Sequence, residues 1–176
     1  AIMALIMVLS TFPMTAFAAD NIINSGWCGE NVTWVFDKST GTLTISGTGD
    51  MYDYTNQVDD EPWWRETGLD SNIKTLILEE GVTSIGDGTF KEATEMTNVV
   101  LPESLTSIGK CSFQQCTSLT EVVLPESLTS IDEYSFYGCT SLKRVAVGDT
   151  DIAIGKYVST LGENAFGGCT KLKSLN

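Results

Sequence analysis

The chain has 176 residues, 42% of them hydrophobic, with ten Lys+Arg against 23 Asp+Glu for a net charge of −13, and no histidine. Such an acidic balance argues against a nucleic-acid partner, which needs a basic face for phosphates, and against attraction to an anionic membrane surface. The lack of histidine removes Ser-His and Cys-His nucleophile pairs and histidine-containing metal sets, while the length suits one domain with a buried core.

Residues 1–19 carry no charge. Ile2–Leu9 is apolar, Pro13 breaks the run, and Ala16-Phe17-Ala18 puts small residues where a signal peptidase reads them. The expectation is a signal peptide over 1–18, cleaved after Ala18. The rival is a membrane anchor, since about eighteen apolar residues can span a bilayer, but Ser10, Thr11, Pro13 and Thr15 weaken its second half. Neither an initiator Met nor a basic leading segment is present, so the sequence reads as incomplete at its start. Export would permit disulfides.

Residues 19–72 are expected to form an N-terminal cap. Val32, Trp34 and Phe36 alternate, as do Leu43 and Ile45, and Asp37-Lys38-Ser39-Thr40-Gly41 between them has turn chemistry, so the segment predicts a β-hairpin. Residues 50–70 follow with Asp50, Asp53, Asp59, Asp60, Glu61, Glu66 and Asp70 against Arg65. This reads as a solvated acidic loop rather than a calcium loop, because no alternating-Asp run closed by Gly and Glu is present. Trp63 and Trp64 within it are candidate aromatic contacts. One reading stacks them on a sugar or a partner, and the other wedges the loop onto the repeats.

From residue 73 the sequence repeats. Units begin at 73, 96 and 119, each 23 residues after the last, then at 142 (with seven extra residues) and at 172, where the last is incomplete at Asn176. The apolar columns recur: Leu76, Val99, Val122 and Val145; Ile85, Ile108, Ile131 and Leu161; Phe90, Phe113, Phe136 and Phe166. A unit that cannot cover its own apolar face must be covered by its neighbours, so the units are expected to stack as a solenoid. The L-x-x-V-x-L spacing predicts one strand per unit in a parallel sheet, ended by Pro102 and Pro125. Gly86, Gly109 and Gly162 predict a turn with positive φ, with Asp132 in their place in the third unit. The segment after the glycine is short enough for one or two helical turns.

The motifs LPESLTSIG…SFQQCTSL, LPESLTSID…SFYGCTSL and AFGGCTKL, within residues 73–176, resemble the BspA-type leucine-rich repeat family of bacterial surface proteins. The segment from Ser25 to Tyr54 resembles the cap that precedes such repeats. The resemblance implies an α/β solenoid with a parallel sheet on one face, on a secreted or cell-surface protein used for adhesion or partner binding. Two departures stand out. Ala93 replaces the expected cysteine, and Gly148–Lys156 is an insertion with the alternation of a hairpin.

The five cysteines are Cys28, Cys111, Cys116, Cys139 and Cys169. Three of them fall in one column, where reduced thiols acting as small hydrophobes are expected; Cys28 with Cys111 is the one bridge worth testing. No cofactor, metal or catalytic constellation can be assembled, so no enzymatic role is expected. The outward positions of the strands are Thr75, Ile77, Asn98, Val100, Glu121, Val123, Arg144 and Ala146. Of these Ile77, Asn98, Val100, Glu121, Val123, Arg144 and Ala146 are the candidate binding residues, for a protein or glycan ligand at the cell surface. The apolar members form either a binding strip or a β-rich, partly covered surface. The alternative function is a structural or targeting segment of a longer surface protein whose anchor or catalytic domain lies elsewhere; a carbohydrate-binding module ranks behind both. After signal cleavage no membrane span is expected.

Overall fold

The computed structural model describes residues 22–54, 72–148 and 154–173. The expected signal peptide over 1–18, Trp63 and Trp64, and residues 149–153 of the insertion lie outside the described residues, as does most of the acidic loop.

The chain enters as an antiparallel ladder of β1 (Ile22–Trp27), β2 (Val32–Asp37) and β3 (Thr42–Gly47). The expected hairpin is β2–β3. Asp37 closes its turn: Oδ1 accepts the Ser39 N–H at 2.8 Å and the Ser39 hydroxyl at 2.7 Å. Val32, Trp34, Phe36, Leu43 and Ile45 all point into the core, as the period-two alternation requires. The short β4 (Gly49–Asp50) follows.

The repeats then supply β5 (Thr75–Leu78), β6 (Val82–Ile85), β7 (Asn98–Val100), β8 (Ser107–Ile108), β9 (Glu121–Leu124), β10 (Ser130–Ile131), β11 (Arg144–Val147) and β12 (Thr160–Leu161). Odd-numbered strands build the expected sheet. β3 pairs in parallel with β5, β5 with β7, and β9 with β11, and β7 lies beside β9. The registers join Thr75 to Asn98 and Glu121 to Arg144, so partners stand one repeat apart. The hairpin therefore continues the repeat sheet rather than sitting apart from it.

The even-numbered strands from β4 onward form a second parallel sheet, in the order β12-β10-β8-β6-β4, which sequence reasoning did not anticipate. Its strands are short, and side chains reinforce them. The Thr106 hydroxyl donates to the Thr83 carbonyl at 3.0 Å, Thr129 to Thr106 at 3.1 Å, and Ser159 to Thr129 at 3.1 Å.

The third side of each unit is built from consecutive turns. Among the described residues there is no α-helix; the one helical element is a 3₁₀ turn at Ile154–Lys156. The α/β expectation is corrected accordingly: the repeat is strand-and-turn. Here the N–H groups of Gly88, Phe90 and Glu92 donate forward to the carbonyls of Lys110, Ser112 and Gln114 at 2.7–2.8 Å. The next unit repeats this from Cys111, Phe113 and Gln115. With alternate N–H groups committed to the next unit, the donors of a continuous intrahelical ladder are missing, and only isolated turn bonds such as Lys91 N–H to the Gly88 carbonyl remain.

Positive φ occurs at two columns of this side, not at the predicted one. Gly88, Cys111, Tyr134 and Asn164 form the first, with Glu92, Gln115, Gly138 and Gly168 the second. Gly86, Gly109 and Gly162 are glycine for another reason, namely that the preceding unit is too close. A Cβ at Gly109 would sit 2.8 Å from the Asp87 backbone nitrogen, and one at Gly86 would fall on the Tyr52 carbonyl.

One continuous core joins hairpin and repeats, from Cys28 and Trp34 to Cys169. The phenylalanine column runs through it, with ring centroids 5.5 Å apart for Phe90–Phe113 and 5.1 Å for both Phe113–Phe136 and Phe136–Phe166. Beside it the Cys116, Cys139 and Cys169 thiols donate to the Phe90, Phe113 and Phe136 carbonyls at 3.2–3.3 Å. All five cysteines are free thiols, Cys28 included, so the Cys28–Cys111 bridge is not formed.

Candidate binding face

The outer surface of the β5-β7-β9-β11 side carries two rows of side chains, because alternate strand residues face outward; β5 with β7 and β9 with β11 pair in register, and β7 lies beside β9. The first row is Thr42, Thr75 and Asn98, continued by Glu121 and Arg144. The second is Thr44, Ile77 and Val100, continued by Val123 and Ala146. Leu76, Leu78, Val122 and Leu124 between them point inward and are buried.

The first row is polar, and the Arg144 guanidinium pairs with the Glu121 carboxylate across the β9–β11 step. Asn98 is exposed beside them. The second row is apolar and uneven. Val100 is 52% exposed and Val123 41%, while Ile77 is half-buried. Ala146 corrects the sequence expectation. It is in register with Val123 yet only 2% exposed, so it belongs to covered surface and not to an accessible strip. The accessible apolar strip is thus Ile77, Val100 and Val123.

Sequence reasoning also passed over exposed aromatics, two of them ahead of the repeats. Trp27 ends β1 and is 61% exposed, and Tyr52, whose N–H donates to the Cys28 carbonyl at 2.7 Å, is 50% exposed. Their only signal was that neither falls in an apolar column. On the second sheet, Asp50 accepts the Thr83 hydroxyl at 2.7 Å, and this bond, with one from Ser84, holds its carboxyl below the usual range. Asp132 is shifted the other way, by partial burial first and then by Asp87, Glu133 and Asp53. Lys110 reaches Glu133 at 2.6 Å. Among the described residues no group of acids and cysteines has the geometry of a metal site, and no helix is long and apolar enough to cross a membrane.

A strand-rich repeat fold with parallel sheets defines the class. The chain belongs to the BspA-type leucine-rich repeat family: the family model "BspA type Leucine rich repeat region (6 copies)" matches residues 69–176, more than half of the chain. Among solved structures it is similar to a leucine-rich repeat protein from Bacteroides ovatus ATCC 8483, with 22% identity, a TM-score of 0.51, 75% of this chain covered and 36% of that one. It is also similar to a leucine-rich repeat protein from Eubacterium ventriosum ATCC 27560, with 19% identity, a TM-score of 0.49, 87% of this chain covered and 72% of that one. The chain thus spans about a third of the Bacteroides protein's length. No curated protein matches.

Proposed function

We propose that the chain is a non-catalytic binding module, secreted or displayed at the cell surface, that captures a protein through the β5-β7-β9-β11 face. On this reading the 23-residue units form a solenoid, and β1–β3 cap its N-terminal end by continuing the sheet with a hairpin. The carrying observation is the pair Val100 and Val123, large apolar side chains exposed at 52% and 41% on adjacent strands. Adjacent exposed apolar side chains on a rigid sheet favour association, because burying them removes them from water. The charge-free segment 1–18 supports export, which N-terminal sequencing of the secreted chain tests: the mature protein begins at Ala19.

The test of the face is an array of purified extracellular proteins, with glycans printed alongside. Protein capture by the wild type should vanish for Val100→Glu with Val123→Glu while thermal unfolding is unchanged. Capture that survives the double substitution removes the face from consideration. Capture of glycans alone transfers the role to the aromatics at Trp63 and Trp64.

A further inference from the structure

Resting on that reading of the face, we propose that its partner presents a basic amphipathic helix, laid across the strands along the Ile77–Val100–Val123 row. Three observations lead there.

The first is spacing. Neighbouring parallel strands lie about 4.8 Å apart; Ile77 and Val100 are register partners, and Val123 follows on β9, which lies beside β7. A helix advances about 5.4 Å per turn, so one apolar side chain per turn stays within about 1 Å of step over three units. An extended segment repeats the same side about every 6.7 Å and falls out of step by the third contact.

The second is charge. Glu80, Glu103 and Glu126 follow Ile77, Val100 and Val123 by three residues each, forming an exposed acidic column just past the ends of β5, β7 and β9. Glu80 is occupied, since its carboxylate accepts the N–H groups of Glu103 at 2.9 Å and Ser104 at 3.1 Å. Glu103 and Glu126 have no cationic partner among the described residues. Glu126 leans along the stack, with Oε1 3.6 Å from where a side chain at Gly148 would begin. On the other side of the row Glu121 is already matched by Arg144. Among the described residues a partner therefore meets unmatched negative charge at Glu103 and Glu126, on a chain of net charge −13.

The third is what the face lacks. None of the row residues named above is aromatic, so it offers no ring on which a sugar could stack.

The probe is an 18-residue peptide with leucines on one helical stripe and lysines flanking it, read by fluorescence anisotropy. Two controls accompany it: a scrambled peptide of identical composition, and one with glutamates for lysines. The helical lysine peptide should bind the wild type about tenfold tighter than the scramble, and Val100→Thr with Val123→Thr should weaken it about tenfold. Glu103→Gln with Glu126→Gln should weaken it several-fold and flatten its salt dependence. In the wild type, the Val100 and Val123 methyl resonances should shift on titration. Equal binding of the scramble or of the glutamate peptide, or no binding at all, overturns the proposal. If the valine pair matters but the glutamate pair does not, the basic partner falls and the binding face stands. If the valine pair has no effect and its methyls do not move, both fall. Sedimentation showing a dimer that the valine pair abolishes makes the occupant a second copy of this chain, which also overturns it.

Discussion

The rings of Phe113 and Phe136 stack with centroids 5.1 Å apart and planes within 7°, although they are 23 residues apart in sequence. Phe136 stacks on Phe166 at the same distance and within 1°, despite the seven extra residues between those two units. The ring stack therefore keeps its spacing across the longer unit.

Because Phe113 is fully buried between two rings, Phe113→Ala should cost about 3–5 kcal/mol, through lost transfer energy and a cavity that the neighbouring rings hold open. Phe166 is only half-buried, so Phe166→Ala should cost clearly less. Urea unfolding of the two variants checks the order; equal losses would contradict a column anchored by its interior members.

Gln115 has φ 60°, in the column where the next units carry Gly138 and Gly168. A side chain in this region costs roughly 1–2 kcal/mol, while glycine raises the entropy of the unfolded chain by about 0.4–1 kcal/mol. Gln115→Gly should therefore raise stability by up to about 1 kcal/mol. Gly86→Ala should do the opposite, since the added methyl meets the Tyr52 carbonyl, a backbone atom that cannot step aside. Thermal melts of both variants decide this.

The thiols should react in a set order. Burial pushes Cys28 and Cys116 up to about 12, and contact with Cys169, then burial, raises Cys139. Cys111 is also raised by burial, but it is half-exposed, with Lys91 and Lys110 nearby favouring its thiolate. Brief alkylation of the native protein followed by peptide mapping should label Cys111 first, with Cys28, Cys116 and Cys139 labelled only after denaturation. Early labelling of Cys116 would contradict the closed thiol column.

Asp132 has a carboxyl pKa raised in the folded state, so its charged form opposes folding. The penalty is complete above the raised value and disappears as pH falls below the unfolded value, about 4. Asp132→Asn should therefore raise the melting temperature at pH 7, with the gain shrinking to nothing in acid. A gain independent of pH would assign the effect to packing. Asp50 has the opposite sign. Its lowered carboxyl contributes stability above about pH 4, lost as pH falls through the folded value, so Asp50→Asn should destabilise at pH 7 and matter less in acid.

Much of this was legible in the residues themselves. The β2–β3 hairpin followed from Val32, Trp34 and Phe36 opposite Leu43 and Ile45, because alternation along a half-buried strand is a local property. Most inward columns followed from recurrence, since a position facing the core in one unit faces the same core in the next; Leu161 departs from its column and is 51% exposed. The second sheet was missed because β8, β10 and β12 are two residues long, too short for any pattern to register.

The sequence by itself determined most of the inward-facing columns and the residues that become ladder partners, both of which depend on periodicity. Only the tertiary structure decided what the backbone between those columns does. The turns at Gly88 and Gln115, the glycine at Gly86, and the burial of Ala146 depend on what an adjoining segment presents at each point. Forward-aimed N–H groups on the third side exclude the helix that local spacing allowed, because an amide has one hydrogen to donate and every second one here gives it to the neighbouring unit.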